Sequence, residues 1–384
     1  MKIFLILYPF LTSYKMTPEF KNLLTLLTSK VEANIELGLL LVKNYKQEFK
    51  DFFGFEFDKQ IKNLMAFLFK NEILQKNFLE NWCLDLSNKQ LSTLPKEIKL
   101  LKDMYALHID KNLFTCLPKH IVNLQNLTYL NISDNLFTHF PKITTKLQDL
   151  RSLHISNNSL KSIPKEIENL KNLEYLRLDK NNITKLPKEI KFLQNLVSLD
   201  ISNNKFLGFP KEIGHLTRLE TLDIKYNQLS NIPKEIGNLK NLQQLYLNNN
   251  LIKTLPKEMI QLQKLEILNL SSNEFLTPLQ EITNLQNLQE LYLYCSQLSN
   301  IPTEINQLNK LQILYLNSNH FKVFPTEIIS LKKLEVLNLS HNRIEFIPKE
   351  IKKMKALRHL ILKGNPIENK TEIQKLLPKC KIDF

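Results

Sequence analysis

Glycine is scarce in this chain, with 6 residues in 384, and the sequence contains neither the P-loop pattern nor the dinucleotide-binding pattern GxGxxG. Both patterns rely on glycine for the close approach of the backbone to phosphate. Their absence excludes a nucleotide site of either kind. No hydrophobic run reaches the ~20 apolar residues that a membrane-spanning helix needs, so no such helix is expected.

Cysteine is also scarce. The four cysteines, Cys83, Cys116, Cys295 and Cys380, lie far apart and form no CxxC pair, so neither a zinc knuckle nor a disulfide framework is expected. Buried small side chains or single free thiols are the simplest interpretation. The lack of a disulfide framework favours a reducing compartment and therefore a cytoplasmic location.

The chain is rich in one pattern, a repeat of 23 residues that runs without insertion from Asn81 and gives thirteen units in register. One copy, Leu173–Asn195, reads LEYLRLDKNNITKLPKEIKFLQN. We number positions 1 to 23 from the first residue of each unit. A period of this length predicts a solenoid, in which each repeat position forms one column of side chains along the array.

The apolar positions of the repeat predict its fold. The alternation at positions 4 and 6, as in Leu176 and Leu178, is typical of a short strand, and positions 1, 11, 14, 18 and 21 add a core that continues between units. Proline at position 15 predicts a short helical turn on the outer side. The expected fold is an α/β solenoid shaped like a horseshoe. Parallel β-strands line its concave face, helical turns line its convex face, and a small α-helical cap domain precedes the repeats.

Position 9 carries asparagine. Because the backbone bends after the strand, amide and carbonyl groups lose their partners there, and an asparagine side chain offers both a donor and an acceptor. We therefore assign a structural asparagine ladder, which consists of Asn112, Asn135, Asn158, Asn181, Asn204, Asn227, Asn250, Asn273, Asn319, Asn342 and Asn365. Lys89 and Ser296 replace asparagine in two units, and Ser296 predicts a locally loosened ladder.

With these motifs the chain resembles bacterial leucine-rich repeat proteins of the 23-residue class, over residues 81–384. The C-terminal end is similar to the closing unit of that family, with a helix expected near Glu372–Leu377. The resemblance implies a curved array that binds a protein partner on its concave face. It does not identify the partner.

Residues 1–80 lack the repeat. Residues 1–15 resemble a signal sequence without a small-residue cleavage site, so an exported or surface-associated protein is the alternative to a cytoplasmic one. Helical spacing over 17–80 predicts a cap on the first repeat, with a separate docking module as the alternative. The predicted domains are a leader or extension at 1–15, a helical cap domain at 16–80, twelve repeats at 81–356, and the last repeat with a C-terminal cap at 357–384.

The concave face consists of positions 2, 3, 5, 7 and 8, and its early part is basic whereas its later part is aromatic. Exposed tyrosine and arginine are favoured in binding hot spots. The alternative is that tyrosine favours strands and packs on its stacked neighbours. The predicted partner-binding residues are Tyr246, Tyr292, Tyr294, Tyr315 and Tyr226 in the aromatic part and Arg177, His154, His108 and Arg151 in the basic part.

The net charge of +14 includes a column of lysines at position 16, mostly followed by glutamate at position 17. A solvated outer face is the simplest interpretation of these charges. The alternative is a convex ridge that binds a polyanion, either nucleic acid or an acidic polysaccharide. No sequence module for nucleic-acid binding accompanies the ridge.

Catalysis has little support in the sequence. The eight histidines are scattered over the repeat positions, and none pairs with Cys or Ser in a nucleophile arrangement. His108 and His154 would lie ~10 Å apart at the spacing of neighbouring strands, too far to share a metal. We therefore expect no catalytic residue, metal or cofactor. The predicted function is a monomeric, non-enzymatic scaffold for protein–protein interaction, in signalling or in host or cell-surface recognition, with polyanion binding as the alternative.

Overall fold

The computed structural model describes residues 17–27, 32–45, 83–276 and 279–384. The chain divides into two compact units, Met1–Leu160 and Lys161–Phe384. The predicted leader at 1–15 and much of the predicted cap domain lie outside the described residues. Among the helices within them, none is long and apolar enough to cross a membrane.

The first compact unit begins with two helices that pack against each other, α1 at Pro18–Leu27 and α2 at Glu32–Leu41, followed by a 3-10 turn at Val42–Tyr45. Leu23 and Leu39 are buried there. Helix α1 begins at its proline because the fixed φ of proline suits the first helical position, where the missing amide costs no hydrogen bond. The role of these helices as a cap stays a prediction.

Each repeat contributes a three-residue strand made of positions 3, 4 and 5. The strands of the first compact unit are parallel neighbours in chain order: β1 Cys83–Asp85, β2 Ala106–His108, β3 Tyr129–Asn131 and β4 Ser152–His154. Position 4 is buried in every strand, and each position-4 leucine faces the leucine one repeat later. Neighbouring strands therefore pair residues that are one repeat length apart, so the residues at each repeat position form one column.

The strands of the second compact unit continue the same pattern, parallel and in chain order. They are β5 Tyr175–Arg177, β6 Ser198–Asp200, β7 Thr221–Asp223, β8 Gln244–Tyr246, β9 Ile267–Asn269, β10 Glu290–Tyr292, β11 Ile313–Tyr315, β12 Val336–Asn338, β13 His359–Ile361 and β14 Lys381–Asp383. The helix predicted near the C-terminus is α3, Lys370–Leu376. It precedes β14, which pairs with β13.

The helical turns predicted between strands are 3-10 helices that start at position 16. All but the ninth, which follows Leu279, start directly after a proline, such as Pro187 with φ of −69°. Their side chain at position 18 is buried; it is isoleucine except for Thr144 and Met259. The turns are Lys96–Leu100, Lys119–Asn123, Lys142–Lys146, Lys165–Asn169, Lys188–Phe192, Lys211–His215, Lys234–Asn238, Lys257–Gln261, Gln280–Ile282, Thr303–Gln307, Thr326–Ser330 and Lys349–Lys353. The ninth is shortened to three residues, next to Thr277 and Pro278, which lie outside the described residues.

The asparagine side chains at position 9 hold the bend that follows each strand. The Oδ1 atom of Asn250 accepts the amide of Leu229 at 3.0 Å, and its Nδ2 atom donates to the carbonyls of Ile224 at 3.2 Å and Leu247 at 3.0 Å. Two of these partners belong to the preceding repeat, so the side chain joins neighbouring repeats. Asn112, Asn204, Asn273 and Asn342 make the same set of bonds to carbonyls of their own and the preceding repeat.

The backbone at position 8 takes a left-handed conformation, which sequence reasoning missed. Its φ runs from 49° to 57° in the non-glycine residues and is 75° at Gly364. The frequent Asn, Asp and Gly at this position, residues that tolerate this conformation, were the available signal. In the two repeats without ladder asparagine, position 10 is also left-handed, at Gln90 (56°) and Gln297 (58°). The loosening expected at Ser296 is thus a local change of backbone.

A second polar ladder connects the loops that precede the strands. Asn195, Asn241 and Asn287 each accept a hydrogen bond from the cation one repeat later: Arg218 at 2.7 Å, Lys264 at 2.8 Å and Lys310 at 2.6 Å. The same asparagines donate to backbone carbonyls of the preceding repeat. The alternation of asparagine and cation gives this part of the chain a period of two repeats.

Replacing Asn250 by alanine should lower the free energy of unfolding by about 1–3 kcal/mol, because buried amide and carbonyl groups lose their partners. Chemical denaturation monitored by circular dichroism measures the change. The exposed Asn306, which lies in a 3-10 turn, is the matched control, and Asn306→Ala should have little effect. Equal stability of the two variants would contradict the role of the ladder.

Two glycines lie where neighbouring 3-10 turns approach closely. A Cβ atom at Gly237 would lie 2.6 Å from the carbonyl oxygen of Glu258, and one at Gly214 would lie 2.5 Å from that of Glu235. A backbone oxygen cannot yield as a flexible side chain can. Gly208, by contrast, has no atom within 4 Å of such a Cβ.

We therefore expect Gly237→Ala to lower the melting temperature, since the added methyl group forces adjacent turns apart. Gly208→Ala should leave it unchanged or raise it, because alanine restricts the unfolded chain. Thermal melts of both variants measure the difference. A Gly237→Ala variant as stable as Gly208→Ala would show that the turns separate at no cost.

Candidate functional site

The predicted contact residues lie on the side of the strands away from the core. We call positions 2, 3, 5, 7 and 8 the strand face. Tyr246, Tyr292 and Tyr315 are the last residues of β8, β10 and β11, and each is half-buried. Together with Tyr294 they form what we call the tyrosine patch. The buried leucine at position 4 anchors each strand, so these rings have fixed places on the face.

Two rings of the tyrosine patch are in contact. Tyr292 and Tyr315 are register neighbours, with ring centroids 5.2 Å apart and an interplanar angle of 77°. This edge-to-face arrangement is favourable for aromatic pairs. The Tyr292 hydroxyl donates a hydrogen bond to Oε2 of Glu290 at 2.6 Å. Burial, the bond to Glu290 and its charge raise the pKa of Tyr292, so the phenol stays neutral.

Tyr246 stands apart from that pair, because Asn269 of β9 lies between Tyr246 and Tyr292 in the register. Its hydroxyl donates to Oε1 of Gln244 at 3.2 Å. Lys225 places its ammonium 5.7 Å from the centroid of the ring. Burial, followed by the nearby carboxylates Asp223 and Glu290, raises the pKa of Tyr246. The predicted aromatic run is therefore one ring pair plus one ring beside a cation.

The other two predicted tyrosines lie near the edge of the face. Tyr294 is half-buried, and its amide donates to Oγ of Ser271 at 3.2 Å. Tyr226 is 50% exposed and occupies the left-handed position 8 with φ of 52°. A bulky residue in this conformation is uncommon. It leaves the ring exposed at the strand's end.

The early, basic part of the prediction contains a stack that sequence reasoning missed. Tyr129 is at position 3 of its repeat and is the first residue of β3. Its ring lies between those of His108 and His154, with ring centroids 4.7 Å and 5.1 Å away. Its hydroxyl is 3.3 Å from Nδ1 of His154, whose Nε2 is 3.0 Å from Oγ of Ser152. The tyrosine fills the space between the two imidazoles. Within the described ranges, no group of three metal-binding side chains occurs.

The two predicted arginines are exposed. Arg151 precedes β4 in the first compact unit. Arg177, in the second, has its Nε atom 3.8 Å from Asp179 and its Nη2 atom 3.6 Å from Asp200. Arg177 therefore lies close to two carboxylates, which sequence reasoning did not anticipate.

Asp200 sits in a crowded acidic environment. Burial, followed by repulsion from Asp179 and Asp223, raises the pKa of its carboxyl, although the amide and Oγ of Ser202 donate hydrogen bonds to it. The Arg177 contact is long and its side chain is 53% exposed, so it offsets little of that repulsion.

A family model described as a leucine-rich repeat region matches residues 82–174, 142–228 and 213–317, and one described as a leucine rich repeat matches residues 310–367. A solved leucine-rich repeat protein of Leptospira interrogans is 39% identical, with a TM-score of 0.69, over 78% of this chain and 83% of that chain. No curated protein matches this chain.

Two further solved structures are similar. The plant peptide hormone receptor RGFR1, in complex with RGF2, is 27% identical with a TM-score of 0.63, and the match covers 76% of this chain and 53% of that chain. An internalin, InlF, from Listeria monocytogenes is 21% identical with a TM-score of 0.66 over 74% of this chain and 88% of that chain. At that identity the internalin shows the fold alone.

Replacing Asp200 by asparagine should stabilise the protein at neutral pH. Asparagine keeps the acceptor for Ser202, as Asn269 does for Ser271 in another repeat. Because the pKa of Asp200 is higher in the folded than in the unfolded state, ionisation opposes folding in full above the folded-state pKa. The penalty declines as pH falls below that value and is absent below the unfolded-state pKa. At pH 7, Asp200→Asn should have a higher melting temperature than wild type, and this difference should become smaller as pH is lowered. A lower melting temperature than wild type at neutral pH would contradict the proposed repulsion.

Proposed function

Since this chain belongs to the leucine-rich repeat family, we propose that it is a non-enzymatic scaffold for protein–protein interaction whose partner binds the strand face of repeats 7–11. Members of this family and fold generally serve as interaction scaffolds. The plant receptor was solved in complex with RGF2, which supports a peptide or a protein segment as the class of partner. The similarity to the Leptospira protein supports a bacterial origin.

The observation that carries the proposal is the half-exposed ring pair of Tyr292 and Tyr315, 5.2 Å apart. Tyrosine provides a large contact area and has only two side-chain torsions to order on binding. Here the Glu290 bond to Tyr292 and the Gln244 bond to Tyr246 already hold two of the rings. A partner would therefore meet a preorganised surface, which reduces the entropy lost on binding.

Packing within the sheet is the competing explanation for these tyrosines. An edge-to-face pair contributes about 0.5–1.5 kcal/mol beyond its buried area, so Tyr292 and Tyr315 also stabilise neighbouring strands. The two roles do not exclude each other, because the edge of one ring packs on the face of the other while both side chains stay partly exposed. A test must therefore separate binding from stability.

The remaining predicted contacts are separate predictions. Tyr226 and Arg177 belong to repeats 7 and 5 of the second compact unit, whereas Arg151, His108 and His154 are strand-face residues of the first compact unit. Arg151 is exposed and offers a donor to a partner. The rings of the two histidines pack on both sides of Tyr129, so a partner would contact the edges of these three rings.

Polyanion binding by the position-16 lysines stays the alternative. These lysines begin nine of the 3-10 turns. A role in signalling or in host or cell-surface recognition, the monomeric state and the cellular location also stay predictions.

The combined variant Tyr246→Ala, Tyr292→Ala and Tyr315→Ala should capture at least about tenfold less partner than wild type, because truncated hot-spot rings lose their contact area. The full chain is immobilised, cell lysate is passed over it, and bound proteins are quantified by mass spectrometry. Tyr175→Ala is the matched control, since Tyr175 is an exposed strand-face residue outside repeats 7–11.

Thermal melts of the same variants separate binding from folding. The combined variant should still melt cooperatively, with a modest decrease that reflects the lost ring pair. Capture equal to wild type by a folded combined variant would refute the tyrosine patch as the contact surface.

A further inference from the structure

The strand face of repeats 6–12 has a charge opposite to that of the whole protein. Its positions 2, 3, 5, 7 and 8 hold six carboxylates against one lysine, a net charge of −5, in a chain of net charge +14. The carboxylates are Asp200, Glu220, Asp223, Glu266, Glu290 and Glu335, and the lysine is Lys225. The tyrosine patch therefore lies on an acidic strip of a basic molecule.

This strip already holds one cation of its own. The Nζ atom of Lys225 is 2.5 Å from Oδ2 of Asp223 and 5.7 Å from the ring centroid of Tyr246. Carboxylate and ring thus act on the same ammonium from two neighbouring strands. Cation–π attraction of this kind adds to the ion pair where water is partly excluded, and burial is partial at all three side chains.

The same combination recurs at β10 and β11, with a carboxylate that has no cation of its own. Glu290 lies beside the ring pair of Tyr292 and Tyr315. Its amide donates to the backbone carbonyl of Glu266 at 3.0 Å, and the side chain of Glu266 is exposed. In the part of the chain that the structure describes, no lysine or arginine forms an ion pair with Glu290 or Glu266.

Two amides next to the rings also need donors. The Oδ1 atoms of Asn248 and Asn317, two residues after Tyr246 and Tyr315, are buried and accept no hydrogen bond within the described residues. Both atoms are acceptors, and a buried acceptor without a donor is unfavourable. Lysine and arginine side chains carry donors and no acceptors. These two acceptors add to the acceptor character of the strip, whose six carboxylates against one lysine match a cationic partner.

We propose that the tyrosine patch binds a cationic, extended segment of a protein partner, with a lysine or arginine of that segment held between Glu290, Glu266 and the rings of Tyr292 and Tyr315. This mode of binding is the same as the one by which Asp223 and Tyr246 bind the ammonium of Lys225. This inference rests on the proposed function, because it names the class of partner that binds the same face.

The spacing of the strands determines which peptide is a suitable probe. Tyr246 and Tyr292 are two strands apart, roughly 10 Å at ~4.8 Å per strand. In a polyproline II helix every third side chain lies on one side, roughly 9 Å apart at ~3.1 Å per residue. A peptide of four Arg-Pro-Pro units should therefore present arginines in step with alternate repeats. Peptides with citrulline or glutamate in place of arginine are the matched neutral and acidic probes.

The test measures binding of the three labelled peptides to the full chain by fluorescence polarisation, at low and at high salt. The arginine peptide should bind, and the citrulline and glutamate peptides should not. The double variant Glu266→Gln and Glu290→Gln should weaken binding about tenfold, the loss of two charge pairs, because glutamine keeps the acceptor for Tyr292 and removes the charge. High salt should weaken binding to wild type in the same direction.

The control variant removes two charges elsewhere. Glu189 and Glu212 are position-17 residues of two 3-10 turns, so Glu189→Gln with Glu212→Gln changes the net charge equally and should leave peptide binding unchanged. Equal weakening by both double variants would overturn the proposal, since only net charge would matter. Binding of the citrulline peptide as tight as that of the arginine peptide would also overturn it.

Partner capture distinguishes this inference from the function on which it rests. If the combined tyrosine variant loses capture while the glutamine double variant captures normally and no arginine peptide binds, the cationic class is refuted and the binding surface stands. If the combined tyrosine variant captures as wild type does, both are refuted. Loss of capture and of arginine-peptide binding in both variants supports both.

Discussion

The bend after each strand is the constraint on which the array depends, and an asparagine side chain satisfies it. A three-residue strand is too short to pair all the backbone groups that turn away from it, so its end would bury amides and carbonyls without partners. Asn250 supplies both donor and acceptor there and reaches the preceding repeat. Where Ser296 replaces asparagine, its Oγ donates to the carbonyl of Tyr294 in its own repeat, and Gln297 takes a left-handed conformation.

The bend fixes the register of the strands, and the register determines which side chains are neighbours on the strand face. Each position of the repeat meets the same position one strand away, so a run of similar residues becomes a strip. Tyr292 and Tyr315 are 23 residues apart in sequence and touch. The same geometry separates charge by side: carboxylates collect on the strand face of repeats 6–12, whereas position-16 lysines collect at the turns. A basic protein can in this way present an acidic, aromatic surface.

Features that recur in every repeat could be predicted from the sequence, because thirteen copies show the same spacing. The buried leucines, the strands, the turns after proline and the family all follow from it. Two recurring features were missed although signals were present: the left-handed position 8, marked by Asn and Gly, and the two-repeat alternation of Asn195, Arg218 and Asn241. Both are obscured when all units are reduced to one consensus.

Contacts between non-repeating side chains could not be predicted, because they depend on distances and rotamers that no consensus contains. Tyr129 lies between His108 and His154, Glu290 binds the Tyr292 hydroxyl, and Arg177 meets Asp200. The sequence by itself determined the period, and thereby the fold and the columns, since periodic burial of leucine admits one stacking register. Only the tertiary structure decided which members of a column touch and which charges are balanced, because strands ~4.8 Å apart bring residues a whole repeat apart into direct contact.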